Sequence, residues 1–548
     1  MFNPIEMKKI IYILLIVFTV SSCDVLELKP LDKLSEGDTW SDAALVQLYV
    51  NANYNAILHG YEDDVFAAAS DESYDLHNHG NMFVLQKGEV TADNISMLSG
   101  RVNYWQLGFS QIRNMNVFFS KIQAAPIDEA VKNIMIGEMK FLRAFVYANL
   151  IWRYGGVPII TKVYELNEDY SLSRDSYENG VDFIVKELDE AIQLLPSKQS
   201  ASQLGRASGD ASKALKSRVL LYAASKLNNA SNDKSKWQAA SDAARELLGA
   251  YVLYPDYQNL FLKDNDEIIW ACYFTQANST DYNWKNGRNG DEGGNFQGPT
   301  QNLVNAYEMK GTGLLPYHIQ VDGTRIVNQL SGYDPMKPYE GRDPRFYATI
   351  LYDGSMWMGR ETETFKGGLD SPESTVQPWN ASLTGYALKK FMNEDIPPTG
   401  NTEKPTNPWI YFRYAEILLN YAEAEFELGN EGVAREYLNK VRDRLSVKMP
   451  PVKDAGEKLR ERIHNERLVE LAFEEHRFYD VRRWMIAEKT ENLDLLKMTI
   501  LKQAENKKNY TISVLSGERD FKKQHYRLPI PRAEIDKSLN KLAQNEGY

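Results

Sequence analysis

The segment RYAEILLNYAEAEFELGN (413–430) constrains the fold most, because its apolar and aromatic positions leave only one periodicity open. Tyr414, Ile417, Leu418, Tyr421, Ala422 and Leu428 line one face at α-helical spacing, and Gly429 with Asn430 closes the helix. A second stripe at Ala434, Tyr437, Leu438, Val441 and Leu445 follows at once, so 413–445 reads as a helix-turn-helix of tetratricopeptide length. KALKSRVLLYAASKL (213–227) with KWQAASDAARELLGAY (236–251) repeats the pattern, as does FLRAFVYANLIWRYGG (141–156) with YENGVDFIVKELDEAIQLLP (177–196). A less regular unit is expected as a helix around 457–487. One helix pair cannot bury its apolar face alone, so the expected fold is mostly α, a right-handed superhelix of about four tetratricopeptide-like pairs. Between 262 and 408 the period fades and Gly, Asn, Pro, Thr, Tyr and Trp rise; NGRNGDEGGNFQG reads as loop. That stretch is expected to be an irregular second region with short strands, and loops on a rigid frame are where binding usually resides.

The N-terminus begins MFNPIEMKKIIYILLIVFTVSSCDVLELKP. Lys8 and Lys9 precede an apolar run from Ile10 to Val20, which falls short of the ~20 residues needed to span a bilayer and fits an export signal instead. Ser21 and Ser22 are small residues before a cut, and V-S-S-C is similar to a bacterial lipobox, which makes Cys23 the expected lipidation site. The expected organisation is therefore a lipoprotein signal peptide at 1–22 and a lipidated tether at 23–36. A helical region at 37–261, a loop-rich binding region at 262–408 and C-terminal helical units at 409–548 complete it. With two cysteines in the chain and Cys23 acylated, Cys272 has no disulfide partner; its setting, EIIWACYF, reads as a buried strand. A formal net charge of −12 without a long basic run argues against a nucleic-acid partner.

Eight stretches in order resemble one family nearly end to end. They are SSCDVLELKP, FLRAFVYANLIWRYGGVPII, LFLKDNDEIIWACYF, PTQNLVNAYEMKGTG, YEGRDPRFYATILYDG, RYAEILLNYAEAEFELG, NERLVELAFEEHRFYDVRRW, and LPIPRAEI with the terminal QNEGY. The chain resembles the SusD/RagB outer-membrane nutrient-binding lipoproteins of Bacteroidetes-type bacteria. The resemblance implies a non-enzymatic, lipid-anchored outer-membrane protein facing the cell exterior. It would sit on a SusC-like TonB-dependent transporter, capture an oligosaccharide or similar nutrient and pass it on. A peptide-binding or other non-glycan lid subunit is the alternative within that setting; a hydrolase built on a carboxylate pair is the remote one.

Several clusters invite other chemistry. In ERLVELAFEEHRFYDVRRW, Glu470, Glu474, His476 and Asp480 crowd together, but neither H-E-x-x-H nor H-x-x-E-H is present. Opposite charges at i, i+3 (Arg467 and Glu470, Glu474 and Arg477, Asp480 and Arg483) read instead as an ion ladder that locks the last helical unit to the loop-rich region. GRDPR (341–345) reads as a loop-fixing element, with Asp343 before Pro344 in an extended turn and both arginines on nearby carbonyls. D-N-D-E (264–267) lacks the Gly and distal Glu of a calcium loop. His77 and His79 form an H-x-H pair in a polar loop. No metal and no cofactor is expected, and no Walker loop or G-x-S-x-G elbow is present.

A sugar offers an apolar C–H face with a rim of hydroxyls, so its receptor needs aromatic platforms edged by amides. Of ten tryptophans, Trp270 stands in the EIIWACYF strand and only Trp284, Trp357 and Trp379 fall in the irregular loops of 262–408. Trp284, in TDYNWKNGRNG beside Tyr282, Asn283 and Asn286, is the expected platform with Tyr282 as a second ring; Trp357 is expected in the framework. The resemblance also implies a ligand-contacting loop just before the helix of Trp105. Here that loop is SDESYDLHNHGN, which adds Tyr74, His77 and Asn81.

Overall fold

The computed structural model describes residues 39–165, 167–168, 171–320, 322–400, 403–504 and 507–548; the signal segment, Cys23 and the tether lie outside them. The principal helices are α1 (Ala43–Asn55), α2 (Tyr104–Lys121), α3 (Glu129–Tyr154), α4 (Tyr177–Leu194), α5 (Gly209–Ala224) and α6 (Lys234–Arg245), then α7 (Tyr414–Leu428), α8 (Glu431–Arg442), α9 (Gly456–Glu470) and α10 (Arg477–Arg483). From α2 to α9 each packs on the next, so the sequence-distant α6 and α7 are neighbours and the stack is continuous. Local chemistry sets the ends. Asp128, Ser176 and Ser208 accept from the free amides at the starts of α3, α4 and α5, and Gly429, at φ 93°, closes α7 in the left-handed conformation that glycine favours.

The three foreseen pairs are present, α3 with α4, α5 with α6 and α7 with α8. The single helix expected around 457–487 is instead two. The chain turns between α9 and α10, where Phe473 and Glu475 have φ of 63° and 68°. Four strand segments position the irregular region: β1 (Ser73–Asp75), β2 (Ile268–Cys272), β3 (Gln297–Pro299) and β4 (Trp409–Arg413). β1 pairs antiparallel with β3, and β2 with β4, whose last residue leads straight into α7. A hairpin of β5 (Leu495–Ala504) and β6 (Lys507–Ser516) follows α10. A second apolar core forms beneath the loops around Tyr61, Tyr257, Phe261, Phe346, Tyr386, Phe391 and Trp409. Cys272 ends β2, half-buried, and burial pushes its thiol up to about 11, which keeps it unreactive.

Buried ion pairs join the two cores, though not as an i, i+3 ladder. Of the three expected pairs only Asp480 with Arg483 forms, at 2.7 Å. Glu470 meets Arg345, Arg413 and Arg444 at 2.9, 2.7 and 2.7 Å. Glu474 meets Lys390 and Arg413, Arg467 meets Asp480 and Asn420, and Arg477 clasps Asp71. The locking role therefore stands while the pairing is long-range: Asp71, Arg345 and Lys390 all belong to segments outside the helical unit. Burial alone raises the Glu470 carboxyl, but the three arginines hold it well below the usual carboxylate range, and Glu474 is lowered in the same way by Arg413 and Lys390. In the GRDPR element, Arg342 does reach carbonyls, those of Pro338, Val304 and Tyr307. Arg345 instead joins the ion network, and Asp343 caps a short helix, Pro344–Thr349, in place of an extended turn.

Two buried imidazoles beside this seam make the fold sensitive to acid. Burial, with Arg482 nearby, pushes His525 down to about 4, and burial with Arg218 and Arg467 holds His476 well below the ordinary range. A base depressed in the folded chain takes its proton more readily when unfolded. The stability these two imidazoles contribute above about pH 6.5 is thus expected to fall as pH drops toward 4, while buried Glu72, pushed up to about 8 by burial and Asp71, works in the opposite sense. Thermal melts between pH 7 and 4.5 should show a smaller loss, or a larger gain, of Tm on acidification in a His476→Gln, His525→Gln variant than in the wild type; identical profiles would contradict the assignment.

Candidate ligand-binding site

The β1–β3 ladder brings two distant loops together. Tyr74 sits opposite Gly298 and Asp75 opposite Gln297, so the chain leaving β1 (74–81) lies beside the chain entering β3 (284–296). Trp284 rides on a short helix, Tyr282–Asn286, whose Tyr282, Asn283 and Asn286 face inward. Asn283 anchors it by donating to the carbonyls of Asn393 and Ile396 at 2.6 and 2.5 Å. Trp284 points outward and is 39% exposed. The chain then folds back: Gly294 N donates to the Trp284 carbonyl at 2.7 Å and Phe296 N to that of Lys285 at 2.8 Å. Gly293 makes this closure possible, since a Cβ there would collide with the Gly287 backbone. Far from being a loose loop, NGRNGDEGGNFQG is largely buried and is pinned by Arg288, which binds Asp291, Thr362 and the Trp357 carbonyl.

Phe296 sits edge-on to Trp284 at 5.6 Å and also touches the rings of His79 and His77, at 4.2 and 5.3 Å. His77, exposed, lies 3.3 Å from the Gly294 carbonyl through Nε2, a direct tie between the two loops. His79 is fixed by Asp75, 3.1 Å from Nδ1, and this hydrogen bond raises its pKa. Asn81 is exposed and donates to the Met97 carbonyl at 3.0 Å, while half-buried Tyr74 packs on Phe83. Trp284 and the His77 loop are thus joined through the Phe296 ring and the Gly294 carbonyl.

Tyr282 does not belong to that face. It is 5% exposed and packs its ring on Tyr61 at 4.6 Å and Phe391 at 6.0 Å, so its expected place as a second exposed ring is corrected to core packing. Two residues along a helical turn point to roughly opposite sides, which is why Trp284 faces out and Tyr282 in. Trp357 is buried in the framework. Trp379 is 69% exposed, on a turn whose neighbouring Val376 carbonyl accepts from Asn289 at 2.9 Å, so it flanks the Trp284 loop. Phe296 and His79 as ring braces were not foreseen; the aromatic inside a run of glycines was the available signal. Among the described residues no group of three or more His, Cys, Asp or Glu is placed to hold a metal ion. Glu267 of D-N-D-E is committed to Arg413 and Arg444.

A rigid helical-repeat scaffold that carries ordered loops with an exposed aromatic platform defines a binding protein of the tetratricopeptide-like class. The chain belongs to the SusD family. The profile of that family matches residues 266–548, and a second profile, described as starch-binding associating with outer membrane, matches residues 24–221. A SusD-like protein from Bacteroides fragilis is 30% identical, with a TM-score of 0.80 over 95% of this chain and 100% of that one. A SusD-like carbohydrate-binding protein from the same species is 26% identical, with a TM-score of 0.74 over 91% of this chain and 99% of that one. SusD-like protein P2 of Formosa agariphila is 24% identical over 98% of this chain and 99% of its own. No helix among the described residues is long and apolar enough to cross a membrane.

Proposed function

We propose that the protein is a cell-surface lipoprotein of the outer membrane that captures an oligosaccharide and hands it to a SusC-like TonB-dependent transporter. The observation that carries this reading is the exposed Trp284 ring, braced edge-on by Phe296, on which His77 of the neighbouring loop also packs. Such a platform stacks on the C–H face of a pyranose while amide and imidazole groups meet its hydroxyls. Half-buried Tyr74 belongs to the His77 loop, and exposed Trp379 sits on a turn held to the Trp284 loop through Asn289. The carbohydrate-binding relative from Bacteroides fragilis supports the ligand class. Against a hydrolase, Glu470 and Glu474 are saturated by cations and held ionised, so neither is available as a general acid. A polysaccharide and oligosaccharide array probed with the full chain tests the reading: binding to a glycan supports it, and binding confined to peptides returns the protein to the non-glycan alternative.

Anchoring rests on Cys23. Cys23→Ala is expected to give a folded chain that leaves the membrane fraction and takes up no metabolic lipid label. Because one acyl chain holds only weakly, the wild type should carry at least two. Label retained by the variant would refute the lipobox assignment.

A further inference from the structure

We propose that the Trp284 face selects uncharged glycans and rejects chains that carry carboxylate or sulfate groups. The inference rests on the glycan reading above and follows from how charge is distributed around the platform. The acidic run Glu62, Asp63 and Asp64 folds against it. Asp63 pairs with Lys285, the residue after Trp284, at 2.6 Å. Asp64 packs on Gly80 within the His77–Asn81 loop, and Asp75 lies beneath His79. Glu62 is 3.4 Å from His59, an imidazole that burial and Arg101 push down to about 4, and among the described residues no Lys or Arg lies within ion-pair distance of it, the charge of Arg101 acting from further away.

The cations of these segments are all committed. Lys285 is held by Asp63 and the Tyr61 carbonyl. Arg101 is buried and binds Glu475 at 2.7 Å, the His59 carbonyl and, at 3.7 Å, Asp64. Arg288 is fully buried on Asp291, and Lys404 is paired with Asp281 at 2.5 Å. Any proton on His79 is already answered by Asp75.

A uronate or sulfate is recognised by a free guanidinium fork or ammonium. Among the described residues of these segments every cation already holds a carboxylate, and the anion would approach a net negative rim in which Lys285 and Arg101 offset only part of the charge of Glu62, Asp63, Asp64 and Glu475. A neutral sugar meets no such penalty: its C–H face stacks on Trp284, and its hydroxyls donate to the same carboxylates, which are pure acceptors. The acidic rim therefore serves as a filter, attractive to hydroxyl donors and repulsive to anions.

The test uses matched probes that differ only in charge: methyl-esterified against de-esterified homogalacturonan, and a β-glucan against its carboxymethyl and sulfated derivatives. Calorimetry on the full chain at about pH 7.5, where unperturbed imidazoles are neutral, and ~0.15 M salt limits long-range steering. The neutral member of a pair is expected to bind in a Trp284-dependent way, its anionic partner at least ~tenfold more weakly. Asp63→Asn, which frees Lys285, combined with Glu62→Gln, should narrow that gap by raising affinity for the anionic probe. Equal or tighter Trp284-dependent binding of the anionic member would overturn the selectivity and leave the glycan reading intact. Failure of every neutral and anionic glycan to bind would overturn both.

Discussion

Arg413→Met is expected to destabilise the fold by about 3–5 kcal/mol, the usual cost of removing one partner from a buried charge network. Arg413 is 1% exposed and is the node where the two cores meet. Its Nε donates to Glu474 at 2.7 Å, and its Nη1 donates to Glu267 at 2.9 Å and Glu470 at 2.7 Å. Its Nη2 donates to the Glu470 carbonyl and to Glu474. Methionine fills part of the volume and offers none of these donors, so three carboxylates, Glu267, Glu470 and Glu474, lose a shared cation while remaining out of water. Natural domains hold only about 5–15 kcal/mol in total, so a loss of this size should lower the denaturant midpoint sharply and reduce yield. Folded variant should retain the wild-type affinity for glycan, because the Arg413 cluster lies inside the molecule and the Trp284 face outside. A midpoint within ~0.5 kcal/mol of wild type would show that the network is dispensable; normal stability with lost binding would move Arg413 into the site.

The long helices were legible because a 3.6-residue stripe sustained over several turns fits no other structure, as in 414–428 and 141–154. The break between α9 and α10 was not. Residues 471–476 keep apolar and charged residues at helical intervals, yet the chain turns there because its buried carboxylates are drawn to Arg345, Arg413 and Lys390, partners remote in sequence. The i, i+3 reading failed for the same reason. A charge on a solvated helix face settles for its neighbour, whereas one in a core needs several donors at once. The site was half legible. Trp284 and the His77 loop could be nominated singly, but their convergence depends on the three-residue β1–β3 ladder, too short to leave a periodic trace. Tyr282 was misplaced because composition registers that an aromatic is present in a turn, not which way the turn faces.

Trp284→Ala should weaken glycan binding by ~2 kcal/mol or more, about thirtyfold, since a few stacked anchors usually dominate the energy of a shallow site. Stability should change little, because the ring is exposed and its helix is fastened by Asn283 and the Gly294 and Phe296 amides. Tyr282→Ala provides the contrast: it empties core volume beside Tyr61 and Phe391 and should cost about 3–5 kcal/mol of stability. The decisive measurement is titration calorimetry of wild type and Trp284→Ala against a glycan selected on the array, with the melting temperature of both recorded alongside. An affinity loss of about thirtyfold at unchanged Tm is the predicted result. Equal affinity in the two proteins would contradict the account and leave the Trp284 face without a ligand.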